Sequence, residues 1–160
     1  GSITNNKQER VFLLSTTHGA EMNGLSAFIE TMRFLKKNKV IKHNWKYGAR
    51  LIKESNKIAK KIGVENYFSF SGIACSPFFT CLDGNRNNSL EFRTLFVQEM
   101  LNYGVLMPWI SIAFRHSEGT LKKTLIALEK TLYIYKKALK FGVKNYLKGR
   151  VIKPVFRKYN

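Results

Sequence analysis

Between Tyr67 and Leu82 the apolar side chains stop recurring at helical spacing and crowd into a short-period aromatic run, which constrains this chain more than any other stretch. Phe68, Phe70 and Ile73 stand before one break, Ser71-Gly72 falls among them, and Ser76-Pro77 precedes Phe78, Phe79 and Thr80. Aromatic and β-branched residues punctuated by turn formers predict two strands, closed at Asp83-Gly84. Helices flank them. Met22, Leu25, Phe28, Ile29, Met32 and Leu35 recur at spacings of three and four, which puts them on one helix face. Lys36 to Lys39 ends that helix, and the same period resumes with Ile41, Trp45, Ile52, Ala59 and Ile62 until Gly63, where a left-handed cap belongs.

Downstream, Leu90 to Tyr103 is helical with Gly104 as its stop. Val105 to Met107 and Ile110 to Phe114, on either side of Pro108, predict a third strand. Ser117 is an N-cap candidate, and behind it Leu121, Leu125, Leu128, Leu132, Tyr135 and Leu139 mark a long amphipathic helix. The order helix, helix, strand, strand, helix, strand, helix predicts an α+β domain: a small, mostly antiparallel sheet of about three strands covered by long helices. A chain of 160 residues is long enough for one such core. Gly1-Ser2 resembles a cloning scar.

Charge is the unusual part of the composition. Twenty-eight Lys and Arg stand against ten acids, and Lys130 to Lys158 holds ten basic residues and no acidic one. Such an excess attracts nucleic acid, anionic lipid or small anions without choosing among them. Lys53, Lys57, Lys60 and Lys61, together with the tail from Lys136 to Lys158 and its interleaved Tyr133, Tyr135, Phe141, Tyr146 and Phe156, make up one candidate grip for nucleic acid or an anionic membrane surface. No apolar run is long enough for a membrane span and no secretory leader is readable, so the expected location is the cytoplasm. Cys75 and Cys81 read as reduced core residues, without zinc spacing around them.

Three histidines, one aspartate and nine glutamates are a thin supply for acid and base catalysis, and no phosphate-cradling glycine loop or nucleophile elbow occurs. His18, His43 and His116 each read as hydrogen-bonded structural residues. The turn Ser15 to Gly19 differs, because hydroxyls and backbone N–H groups between a strand end and a helix suit either a phosphate or a simple cap.

Three segments stand out together: Thr16-Thr17-His18-Gly19-Ala20 before a helix, Gly72 through Phe78-Phe79-Thr80, and Gly104-Val105-Leu106-Met107-Pro108 with His116-Ser117-Glu118. In this order they resemble the C-terminal part of class III, fold-type I aminotransferases that use pyridoxal phosphate, most like glutamate-1-semialdehyde aminomutase. The first resembles that family's threonine turn, the second its glycine, apolar, Phe-Phe-Thr strand pair, and the third its Gly-Val-apolar-apolar-Pro strand and the His-Thr-Glu that opens its last helix. The likeness extends over residues 11 to 142. It divides the chain into the end of a large-domain segment (3–20), a C-terminal small domain (21–142) and a basic tail (143–160).

The resemblance implies a dimeric enzyme in which Thr17, with Thr16 beside it, reaches across the interface to the phosphate of pyridoxal phosphate. Arg115 is the candidate for a substrate carboxylate. The resemblance also implies that the Schiff-base lysine, an acid for the pyridine nitrogen and the phosphate loop belong to an N-terminal catalytic domain. Here only Lys7 precedes Thr17, in a polar stretch without matching context. The expectation is therefore a domain inactive on its own, with no metal, no specific nucleic acid and no membrane span. Glu21-Met22 in place of the family's Asn-Pro, and a shorter loop between Pro108 and Ser111, are departures from the pattern.

Overall fold

The computed structural model describes residues 2–3, 9–10 and 21–153. The chain forms two compact units, residues 1–40 and 41–160. In the first, β1 (Ser2–Ile3) and β2 (Glu9–Arg10) pair antiparallel, Ser2 opposite Arg10, and α1 spans Met22–Lys37. Glu21 starts α1 without a side-chain cap, and Lys36 and Lys37 in the last turn complement the helix dipole. The apolar stripe read from the sequence is present, yet α1 buries none of its residues, and Met22 and Phe28 are 75% and 62% exposed.

The second unit is built on α2 (Val40–Ile62), the hairpin β3 (Phe68–Ile73) and β4 (Ser76–Cys81), α3 (Leu90–Asn102), and α4 (Glu118–Phe141), followed by a 3-10 turn at Val143–Tyr146. The hairpin is antiparallel with Phe70 opposite Phe79 and Phe68 opposite Cys81. Alternation puts these four side chains on one buried face. Against that face lie α3 and α4: the Phe96 ring sits 4.5 Å from Phe79 and 4.9 Å from Phe68, and Tyr135 lies 4.7 Å from Phe92. Leu95, Phe96, Met100, Leu128, Leu132 and Tyr135 are fully enclosed. Burying side chains of this size is worth about 1.5–3 kcal/mol each and holds helices and hairpin together.

Caps fall where the sequence placed them. Gly63, Gly104 and Gly142 take positive φ after their helices. Ser117 and Thr120 form a reciprocal capping box at the start of α4. Asp83 shapes the turn that follows β4 by accepting from the backbone N–H groups of Asn85 and Asn87 at 2.9 Å each, whereas the hairpin itself turns at Ala74-Cys75.

The fold is α+β, but the expected third strand is not formed: residues 105–114 have no strand among the described residues. The Val105 N–H donates to the Met100 carbonyl and the Ala113 carbonyl accepts from the His116 N–H, and two further backbone groups go to side chains. The Pro108 carbonyl accepts from Arg93 at 2.8 Å, the Ala113 N–H donates to His116 Nδ1 at 3.2 Å, and Pro108 itself has no N–H to give. At the edge of β3 the same substitution occurs. Asn56 of α2 accepts from the Phe70 N–H and donates to the Phe70 carbonyl, both at 2.8 Å, and so occupies the position a neighbouring strand would take.

The tail expected from residue 143 begins inside the packed lobe. Val143 is buried, Gln98 of α3 donates to the Tyr146 carbonyl and accepts from the Lys148 N–H, and the Ile152 N–H donates to Thr94. Among the described residues no helix is long and apolar enough to cross a membrane.

Candidate functional site

The residue-level chemistry gathers in a cleft of about 510 Å³ within the second unit, between α2, the irregular segment 104–112 and the first turns of α4. Tyr47 and Leu51 supply the α2 wall. The loop adds Leu106, Trp109 and Ile112, and α4 adds Thr120, Lys123 and Thr124, with His116 at the junction. The volume falls within the range of small-molecule sites.

The capping box shapes the polar wall. Thr120 Oγ1 accepts from the Ser117 N–H and donates to the Ser117 carbonyl, both at 2.7 Å, and Thr124 Oγ1 donates to the Thr120 carbonyl at 2.9 Å. These hydroxyls are committed to the helix and are poor nucleophiles. His116 Nδ1 accepts from Ala113, so the proton of the neutral ring is assigned to Nε2. Its ring lies 5.4 Å from that of Tyr47, which stacks on its other side with His43 at 6.1 Å. His43 packs edge-on against Phe114 at 5.2 Å, and its Nε2 is buried without a hydrogen-bond partner. His116 is the hydrogen-bonded structural residue the sequence suggested; among the described residues His43 makes ring contacts with Tyr47 and Phe114.

Among the described residues Lys123 has no ion-pair partner, and it lies beside Gly104, where a Cβ would come 3.6 Å from its ammonium. The cleft thus offers one cation and one imidazole against an apolar wall carrying Trp109. It suits an amphiphilic anion and holds no nucleophile and base pair. Among the described residues no cluster of His, Cys, Asp or Glu could hold a metal ion.

Thr16 and Thr17, the candidate phosphate donors, lie outside the described residues, as does His18. Arg115 stands exposed in the turn before α4 and does not line the cleft. Tyr47, Trp109 and Lys123 were missed from sequence because they come from three separate segments; only the fold makes them neighbours. The other candidate grip is reorganised. Lys61 pairs with Glu129 at 2.8 Å, which holds its ammonium pKa above the usual value, and Lys136 donates to the Ile62 carbonyl at 2.6 Å. Tyr135 is core and not a stacking surface, while Tyr133 and Phe141 are exposed. Phe156 lies outside the described residues.

Cys81 is buried, and its thiol is pushed up to about 12 chiefly by that burial. Such a group is inert. Cys75, expected in the core, is only half-buried at the hairpin turn.

No family model, no curated protein and no solved structure matches the chain.

Proposed function

We propose that this lobe is the C-terminal small domain of a pyridoxal-phosphate-dependent aminotransferase or aminomutase, working with a catalytic domain that supplies the Schiff-base lysine. The observation that carries the reading is the contact between Gly72 and Phe78, the glycine and the first phenylalanine of the strand-pair motif. Gly72 adopts φ +96°, and a Cβ there would come 2.8 Å from the Phe78 ring, so glycine and phenylalanine form one physical unit. Gly104 and Ser117-Glu118, from the other matching segment, likewise fall where a helix must stop and where the next must start.

The apolar stripe of α1 is the pattern of a helix that packs against another surface, as such a domain would. In this reading Thr17, with Thr16 beside it, donates to the cofactor phosphate of a neighbouring subunit. Neutral donors to an anion make the stronger class of hydrogen bond. Pyridoxal phosphate would supply the electron sink for moving the amino group. Arg115, exposed before α4, is the guanidinium available for a substrate carboxylate.

The test is Thr17→Val in the natural gene product. Loss of one charge-assisted bond predicts about tenfold weaker pyridoxal phosphate binding with unchanged circular dichroism. Unchanged affinity contradicts the assignment.

A further inference from the structure

The helix α4 carries an outward face that is both basic and apolar. Lys122, Ile126, Lys130, Tyr133, Lys137 and Phe141 follow at spacings of four, four, three, four and four, which aligns them along the helix. All six are exposed, the three apolar ones at 48%, 51% and 57%. No acid interrupts this row. The two glutamates of α4 are turned to α2 instead, Glu118 paired with Arg50 and Glu129 with Lys61. Near the start of the row, Lys122, Lys123 and Lys130 ring a depression of about 310 Å³ walled by Tyr103, with Ile126 and Ala127 also lining it. Beyond its end, exposed Lys144, Lys148, Arg150 and Lys153 continue the same sign.

The charge calls for an anionic partner, and the interleaving narrows its kind. An aliphatic side chain such as Ile126, set between two lysines, gains nothing from a phosphodiester backbone and offers a base no ring to stack on. At the boundary between lipid headgroups and acyl chains, both halves of the row are satisfied: lysine stems snorkel to the headgroups, while Ile126, Tyr133 and Phe141 leave water. A helix of 24 residues, about 36 Å long, presents that row to a plane.

We propose that the outer face of α4 docks this lobe onto the surface of an anionic lipid bilayer, with a headgroup phosphate in the depression ringed by Lys122, Lys123 and Lys130. The lobe lies on the membrane and does not cross it. This inference is independent of the cofactor reading.

Sedimentation with phosphatidylcholine vesicles, with and without phosphatidylglycerol, tests it. The chain binds the phosphatidylglycerol vesicles at least about tenfold more tightly. Combined Lys122→Gln, Lys130→Gln and Lys137→Gln removes that preference. Combined Ile126→Ser, Tyr133→Ser and Phe141→Ser weakens binding by about tenfold at unchanged net charge. Combined Lys53→Gln, Lys57→Gln and Lys60→Gln on α2 removes the same charge elsewhere and leaves binding within about twofold. Equal loss in the two lysine triples, no preference for phosphatidylglycerol, no effect of the serine triple in a folded protein, or complete displacement from vesicles by duplex DNA at equal phosphate would each overturn the proposal.

Discussion

The hydroxyl of Tyr135, in the second half of α4, donates to the Leu82 carbonyl at 2.6 Å, with the Tyr67 carbonyl at 3.1 Å as a second acceptor. Leu82 in turn donates to Tyr67 at 2.8 Å, so one side chain from the last helix ties together both ends of the hairpin. The tyrosine is fully enclosed, and burial holds its phenol pKa well above the usual tyrosine range. Tyr135→Phe leaves a carbonyl without its donor and predicts a loss of about 1–3 kcal/mol. It is read as a lower urea midpoint at unchanged slope.

Gly48 is the point where α2 meets the hairpin turn. A Cβ there would sit 1.6 Å from the Ala74 carbonyl oxygen and 2.5 Å from the Ile112 side chain. Gly48→Ala therefore forces backbone apart and is expected to cost at least about 1–3 kcal/mol by denaturant titration. Gly84→Ala has nothing within 4 Å of the added carbon and serves as the neutral control.

Those two contacts also show why part of the fold was legible and part was not. Helices and hairpin follow from local periods, as the alternation of Phe68, Phe70, Phe79 and Cys81 shows. The third strand failed because its competitors are distant in sequence. Asn56 takes the β3 edge, Arg93 takes the Pro108 carbonyl and His116 takes the Ala113 N–H, and no window around residues 105–114 contains the first two. The cleft was illegible for a related reason, since Tyr47 and Lys123 are brought together only by packing. Thr17, the residue that first suggested a phosphate, rests on resemblance and lies outside the described residues.

Cys81 predicts the alkaline limit of the lobe. With its folded pKa raised from 9.0 to about 12, the native state keeps a proton that the unfolded chain releases. The native state then binds more protons, so stability is full below pH 9 and falls as pH rises toward 12. Tyr135 adds a loss of the same sign at higher pH. Urea midpoints measured upward from pH 8 are expected to decline, and Cys81→Ala to flatten the first part of that decline. Under native conditions a thiol reagent is expected to label half-buried Cys75 well before Cys81, and both at once in denaturant.

The cofactor reading is tested most directly by treating the natural gene product with pyridoxal phosphate, reducing with borohydride and mapping the modified lysine by mass spectrometry. The account predicts one pyridoxyl-lysine per chain, preceding Thr17 and distinct from Lys7, with none on the lysines of α1 to α4. A product that stays unmodified, or that carries the label scattered over those helix lysines, contradicts it.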